Sequence, residues 1–265
     1  MTRAWLRPDR PAIGVVDPHE RRALYWEIAL VLLVTLGLAG LRSLVSLLDS
    51  LAAPTPLAQQ SVAINVPQAK ANVLDLVGQL LGIVKLLAWG GLGVFLLWRS
   101  RFTLRSIGLD RSQPLRDGVQ GVGLAALIGI PGLGFYLLTK ALGVNLTVVP
   151  STLDDTWWRV PVVILAAAAN AWAEEALVVA YLITRLRQLG LSENRSLLAS
   201  AVLRGSYHLY QGFGGFLGNV VLGLVFGRFW QRNNRLWPLV VGHTVIDVVA
   251  FVGYAVLVHH VGWLR

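Results

Sequence analysis

The stretch Leu74–Trp98 reads LDLVGQLLGIVKLLAWGGLGVFLLW, and its only charged residues are Asp75 and Lys85. A transmembrane α-helix needs about 20 mainly apolar residues, so this stretch is long enough to cross a bilayer. Similar runs recur along the 265-residue chain, which is 55% hydrophobic and only 14% charged. A soluble domain usually has about 25% charged residues. The sequence therefore predicts an all-α fold, a polytopic transmembrane helical bundle.

We predict seven spans joined by short loops, or eight if the first span is broken near Arg42. Their predicted limits are 26–48, 74–98, 118–138, 158–184, 197–210, 213–230 and 236–258. The chain then divides into an N-terminal tail, residues 1–25, and a single transmembrane domain, residues 26–265.

Basic residues concentrate in alternate loops. Of the 23 Lys and Arg residues, 16 precede the first predicted span or follow the second, fourth and sixth. The positive-inside rule then places the N-terminus in the cytoplasm. The net charge of +9 is explained by this topology, and we predict no nucleic-acid partner. We expect a multi-pass protein of the plasma membrane.

Two further features of the composition limit the chemistry and the packing. The chain has no cysteine, which excludes disulfides, thiol catalysis and Cys-ligated zinc. Glycines recur in the third predicted span, where small residues permit close helix contacts. We expect them to serve internal packing, with a homodimer interface as the alternative; they are Gly118, Gly121, Gly123, Gly129, Gly132 and Gly134.

Several predicted spans contain ionisable or amide side chains, each of which costs free energy in hydrocarbon unless it has a partner, water or a function. Helical rise brings those of three spans to a similar depth, near the middle of the bilayer. Lys85 in span two is expected to be structural. The others are Asn170, Glu174 and Glu175 in span four, Arg204 and His208 in span five, Asn219 in span six, and His243 and Asp247 in span seven.

The spacing of these residues predicts how they face. Arg204 and His208 are four residues apart, as are His243 and Asp247, so each pair should share a helix face. The adjacent Glu174 and Glu175 should project about 100° apart, so that only one faces the cluster directly. A glutamate in such a site can act as a general base on water, and a neighbouring histidine can share the proton or bind a metal. These side chains suit hydrolysis of an amide bond without a covalent nucleophile.

Three motifs in these spans resemble those of the CAAX protease and bacteriocin-processing (Abi-type) family of intramembrane endopeptidases. The first is AEEALVVAYL at Ala173–Leu182, where the family has a Glu-Glu pair followed by Arg. The second is LRGSYHLYQG at Leu203–Gly212, where it has Phe and then His four residues later. The third is GHTVID at Gly242–Asp247, where it has His followed by Asn or Asp. The resemblance places a catalytic core at residues 157–260.

The resemblance implies a role for each matching residue. Glu174 would activate water with help from His208, and Glu175 would be the second glutamate of the pair. His243 and Asp247 would stabilise an oxyanion or contact a metal. No cofactor is required by the resemblance, but a divalent metal such as Zn²⁺ is left open, with Glu174, His208 and His243 as its candidate ligands.

The sequence departs from the family motifs at two positions. Val179 occupies the position of the motif-one arginine, and Arg204 that of the motif-two phenylalanine. We hypothesise that Arg204 supplies the missing cation and pairs with Glu175 or Glu174, because buried carboxylates need a counter-ion. Lys85 is the alternative partner.

We therefore predict an intramembrane endopeptidase, CAAX-protease-like, that hydrolyses a peptide bond through Glu-activated water. Its substrate would be a peptide or membrane protein, with or without a lipid. One alternative is an inactive family member that acts as a membrane scaffold or regulator, which Val179 favours. The other is a proton-coupled transporter, although the symmetric broken helices typical of many transporters are not visible in the sequence.

Overall fold

The structure is a computed structural model that describes residues 13–257, with side-chain detail as far as residue 253. The described chain is mainly helical, which confirms the all-α prediction. Its helices are α1 (Pro18–Val34), α2 (Leu36–Ala52), α3 (Asn72–Arg99), α4 (Pro114–Ala141), α5 (Arg159–Glu174), α6 (Leu182–Gln188), α7 (Glu193–Ser206), α8 (Phe213–Asn233) and α9 (Trp237–Leu257).

Shorter elements connect these helices. A π-helical segment, Glu175–Tyr181, joins α5 to α6, and 3-10 turns cover Leu57–Gln59, Arg105–Ile107 and Leu209–Gln211. The strands β1 (Ser61–Asn65) and β2 (Thr147–Ser151) form a parallel pair in which Ser61 lies opposite Thr147. Parallel strands need a long crossover, which α3 and α4 supply here.

Side chains at the helix termini explain where α1 and α7 begin. The side chain of Asp17 accepts a hydrogen bond from the Glu20 amide at 2.9 Å, and Pro18 follows as the first residue of α1. At α7, Ser192 accepts from the Arg195 amide at 3.3 Å. Ser and Asp are preferred just before the first residue of a helix, because their side-chain oxygens accept hydrogen bonds from amides that have no partner inside the helix. Proline suits the first helical position because its missing N–H costs nothing there.

Within residues 13–257, four helices are long and apolar enough to cross a membrane. They are Asn72–Arg99, Pro114–Ala141, Arg159–Gln188 and Phe213–Asn233. A fifth span results if α1 and α2 are counted together, although they meet at a bend of 52°. The bend follows Thr35, whose hydroxyl donates to the Val31 carbonyl at 2.6 Å. The first run is thus broken at Thr35 and not near Arg42, and its two halves together count as at most one span, so the eight-span alternative is not confirmed.

The predicted count of seven spans is not confirmed. Helix α7, which overlaps the predicted fifth span, has only 14 residues. The apolar part of α9 with described side chains, Trp237–Gly253, is also shorter than a full span. The cytoplasmic position of the N-terminus stays a prediction. Residues 1–12 of the predicted tail and 258–265 of the transmembrane domain lie outside the described residues.

The continuous helix Arg159–Gln188 lies at the centre of the bundle. Of its apolar stretch, 67% is buried, against 22% for α3 and 17% for α4. From Ala173 to Arg185 every residue is buried. Helices α3 and α9 pack against α5, and α7 and α8 pack against each other. The glutamate pair therefore lies on the most enclosed helix of the protein.

The glycines of α4 only partly follow the expectation of internal packing. A Cβ at Gly121 would lie 2.7 Å from Val241 of α9, so this glycine does permit a close helix contact. At Gly129 the nearest neighbour, Ile246, would be 3.7 Å away. An added Cβ at the other four would meet no described atom within 4 Å, and these are Gly118, Gly123, Gly132 and Gly134. The homodimer stays a prediction.

Candidate active site

The two glutamates lie where the central helix changes its hydrogen-bonding pattern. Glu174 is the last residue of α5, and Glu175 is the first residue of the π-helical segment. Their relative exposures are 3% and 0%. Single π-helical turns are rare and frequently occur at functional sites. Within this one, the Val178 carbonyl accepts a hydrogen bond from the Ser200 hydroxyl of α7 at 2.6 Å.

Glu175 is held by two side chains from two other helices. Its Oε1 atom lies 2.7 Å from Nη2 of Arg204 on α7 and 2.8 Å from Nδ1 of His243 on α9. Arg204 is completely buried. The hypothesis that Arg204 pairs with the glutamate pair is therefore confirmed. The alternative is not, because the exposed Lys85 places its ammonium 5.3 Å from the centre of the Trp89 ring.

Glu174 has a separate set of partners. The Tyr207 hydroxyl donates to its Oε2 atom at 2.7 Å, and the Asn170 amide donates to its Oε1 atom at 3.1 Å. Nη1 of Arg204 lies 3.9 Å from Oε2. Both carboxylates border the cluster, but only Glu175 bonds directly to the Arg204 guanidinium, in line with the expected difference in their facing.

His243 and Asp247 share one face of α9, as their spacing predicted. Nε2 of His243 lies 3.6 Å from Oδ2 of Asp247, while its Nδ1 contacts Glu175. The Asn170 amide lies 3.4 Å from the same Asp247 oxygen and so links α5 to α9. Three carboxyl groups thus surround one guanidinium and one imidazole inside the protein.

His208 reaches the site differently from the predicted helical pairing with Arg204. Helix α7 ends at Ser206, so the i, i+4 relation does not apply. The His208 ring lies beside Tyr207, with ring centres 4.9 Å apart, and interacts electrostatically with Glu174. Its Nδ1 lies 3.4 Å from the Gln211 amide, and its buried Nε2 has no hydrogen-bond partner among the described residues.

The described structure does not bring Asn219 into this cluster. Its side-chain amide donates to the Gly215 carbonyl of its own helix at 2.9 Å. Asn219 was predicted from its place in an apolar span, and the described structure gives it this bond within α8.

Comparison with known protein families shows what the segment around this site is similar to. Residues 156–249 match a family model described as type II CAAX prenyl endopeptidase Rce1-like. This segment is therefore similar to the Rce1-like family. It contains all three motifs and runs from just before α5 into α9, which confirms the resemblance predicted from the sequence. The chain matches no curated protein and no solved structure.

The Rce1-like family is a family of membrane proteases, and the apolar helices of this chain agree with a multi-pass membrane protein. A membrane protease is therefore supported at the level of the family. Within the matched segment, the cation beside the glutamate pair comes from Arg204 on α7 and not from position 179 on the central helix. Val179 is instead buried in the π-helical segment at 1% exposure.

The residues of the Rce1-like segment do not fit the proposed metal site. Among the described residues, no three His, Asp or Glu side chains are arranged to hold a metal ion. Of the candidate ligands, Glu174 has both oxygens in hydrogen bonds, and both nitrogens of His243 face carboxylates. A metal site with Glu174, His208 and His243 therefore gains no support from the described contacts.

Sequence reasoning missed two side chains of the Rce1-like segment. Tyr207 directly precedes the motif histidine, and its phenol is a hydrogen-bond donor, so its type and place were visible in the sequence. What could not be read was its direction, which depends on α7 ending at Ser206. Ser200 was missed because its partner, the Val178 carbonyl, belongs to another helix.

Proposed function

We propose that the protein is an intramembrane endopeptidase in which Glu174 activates a water molecule to hydrolyse a peptide bond. The observation that carries the proposal is the convergence of Glu174, Glu175, Arg204 and His243 from three helices in the buried interior. Structural polar residues would be expected to pair locally, whereas these side chains form one network. The Rce1-like match over the same residues supports the proposal.

Each group has a role that its contacts support. Glu174 removes a proton from water as the water oxygen attacks the carbonyl carbon of the substrate. The C–N bond then breaks, and Glu174 returns the proton to the leaving nitrogen. Glu175 is compensated by Arg204 and holds His243 through Nδ1. His208 offers its unpartnered Nε2 to water or substrate. Stabilisation of the developing oxyanion by His243 and Asp247 is the role that the family resemblance implies for this pair.

The substrate class follows the same proposal. The family description names a prenyl endopeptidase, so a peptide with a prenylated CAAX tail is the first substrate to test. An unlipidated leader peptide and a membrane-protein segment are the other candidates. The site would lie in the plasma membrane, near the cytoplasmic half of the bilayer, and a divalent metal such as Zn²⁺ is tested by chelation.

The test is peptide cleavage by purified protein in lipid nanodiscs. We expect the wild type to cleave one of the three substrate classes and Glu174→Gln to be inactive, because the amide keeps the shape of the side chain but cannot accept the proton. The matched control is Glu27→Gln, since Glu27 is also hydrogen-bonded, to Tyr181 and Arg185, but lies outside the site.

Four outcomes would contradict parts of this proposal. Equal cleavage by wild type and Glu174→Gln would remove Glu174 as the base. Loss of activity on chelation, restored by Zn²⁺, would contradict a metal-free mechanism of hydrolysis. Correctly folded wild type that cleaves no substrate of any class would favour an inactive relative, while proton flux in liposomes would favour the transporter.

A further inference from the structure

We propose that Tyr207 is a positioning residue that keeps Glu174 apart from Arg204 and aimed at the substrate. The proposal rests on the proposed function, because it assigns a role through the general base of that reaction. Tyr207 belongs to none of the three motifs at the positions that the family defines. The observation that carries the proposal is the 2.7 Å hydrogen bond from its hydroxyl to Oε2 of Glu174.

The end of α7 places this hydroxyl at the site. The helix ends at Ser206, so Tyr207 and His208 leave the helical path before the 3-10 turn Leu209–Gln211 begins. Tyr207 is 6% exposed, and Gly205 lets α8 approach closely, since an added Cβ would lie 2.6 Å from Val220. The buried phenol therefore has little freedom to turn away from Glu174.

Tyr207 separates the Glu174 carboxylate from the guanidinium of Arg204. The guanidinium uses Nη2 to bind Glu175 at 2.7 Å, whereas its Nη1 is buried and makes no hydrogen bond to any described residue. This Nη1 lies 3.9 Å from Oε2 of Glu174, just beyond hydrogen-bond distance. A small rotation of Glu174 would close the gap and produce a direct, charge-assisted bond.

Such a bond would impair a general base. It would occupy the carboxylate oxygen with a permanent cation and turn it away from the substrate. The Tyr207 hydroxyl instead gives Oε2 a neutral donor, while Asn170 holds Oε1 at 3.1 Å. The two donors fix the plane of the carboxylate and leave its remaining lone pairs for water. Tyr207 need not touch the substrate to have this effect.

The test is Tyr207→Phe, which removes the hydroxyl and keeps the ring. We expect kcat to fall about 10- to 100-fold, because small misplacements of a catalytic group have effects of this size. KM should change less than about twofold, since substrate contacts are untouched by a group that acts on the chemical step. The matched control is Tyr181→Phe, which removes a 3.0 Å bond from another buried tyrosine to Glu27.

A second readout does not depend on turnover. The infrared carboxylate stretch of Glu174, identified as the band lost in Glu174→Gln, should shift in Tyr207→Phe as Arg204 replaces the phenol. In Tyr181→Phe this band should stay unchanged. A shifted band together with a selective fall in kcat supports the proposal.

Other results would overturn it. An unchanged kcat in Tyr207→Phe, or equal losses in Tyr207→Phe and Tyr181→Phe after correction for folded protein, would make Tyr207 merely structural. An unshifted band would show that the phenol does not hold Glu174. If instead wild type and Glu174→Gln cleave equally, the proposed function fails, and the infrared result still decides whether Tyr207 positions the carboxylate.

Discussion

Arg204 occupies the motif position where the resembling family has a phenylalanine, and it pairs with Glu175 across two helices. The position at which the family has its arginine, 179, holds a buried valine. This chain thus has its cation on α7 in place of the central helix. Such an exchange is physically reasonable, because a buried carboxylate needs a nearby cation but not one from a particular helix.

We predict that removing either partner of this pair is costly and that removing both is not. Arg204→Met should lower the free energy of unfolding by about 3–5 kcal/mol, because it leaves the Glu175 charge buried and unpaired. Adding Glu175→Gln should recover much of that loss, since no charge then lacks a partner. The measurement is denaturant unfolding in detergent. Additive losses in the double variant would show that the two side chains do not stabilise each other.

At the scale of elements, the central helix and α7 form one unit. The π-helical segment Glu175–Tyr181 interrupts the regular hydrogen bonding of the central helix, and the Ser200 hydroxyl binds the Val178 carbonyl from outside. Helix α7 therefore supplies Arg204 and, at its end, Tyr207 to the site, and also satisfies the backbone of the helix that carries the glutamates. Ser200 is 1% exposed, so water cannot easily replace it.

This contact predicts a specific loss of stability. Ser200→Ala should cost about 1–3 kcal/mol, because it leaves a buried carbonyl without its partner. Ser196→Ala is the matched control on the same helix. The Ser196 hydroxyl bonds only to carbonyls of residues 192 and 193, close to it in the chain, so its loss should cost less. Thermal unfolding of both variants in detergent is the measurement, and equal losses would contradict the role given to Ser200.

At the scale of the whole molecule, Arg235 joins two loops at the end of the bundle remote from the strands. It lies between α8 and α9 and binds both Asp110 and Asp117, at the start of α4. The pKa of Asp110 is lowered from 3.8 to about 2. The hydrogen bond from Ser112 is the largest cause, and the hydrogen bond from Arg235 is the next largest. The connection holds the loop before α4 close to the loop before α9.

The lowered pKa of Asp110 predicts how stability changes with pH. A carboxyl whose pKa is lower in the folded protein stabilises the fold above its ordinary pKa of 3.8. That contribution should be lost as the pH falls from about 4 to about 2. Ser112→Ala should move the loss to higher pH, because the largest cause of the shift is removed. The measurement is the melting temperature of wild type minus that of Asp110→Asn between pH 7 and 2. A constant difference over this range would contradict the prediction.

The predicted orientation can be tested with single cysteine substitutions, because the chain has no native cysteine. A membrane-impermeant maleimide should label Asp155→Cys in intact cells, since the predicted topology places this exposed residue outside. Arg111→Cys should react only after the membrane is permeabilised. The opposite pattern would invert the topology, and labelling of both without permeabilisation would contradict the assignment of these loops to opposite sides.

Much of the site could be predicted because each polar residue in a membrane span costs free energy by itself. Such a residue can therefore be recognised in the sequence without knowing its neighbours. Asn170, Glu174, Glu175, Arg204, His243 and Asp247 stood out in apolar runs, and the structure joins them through hydrogen bonds and ion pairs. His208 stood out in the same way and lies beside this network. Asn219 stood out equally and bonds within its own helix. A polar residue in an apolar run therefore indicates that a partner is needed, but not which partner.

By itself the sequence determined the helical membrane class, the approximate position of each helix and most of the ionisable residues of the cluster. These depend on hydrophobicity, charge and local spacing. Only the tertiary structure decided the bend after Thr35, the early end of α7 at Ser206, the contacts of both glutamates with Arg204 and the bond from Tyr207 to Glu174. The reason is physical: each of these depends on where a side chain or helix meets one far away in the chain, and local periodicity does not encode that distance.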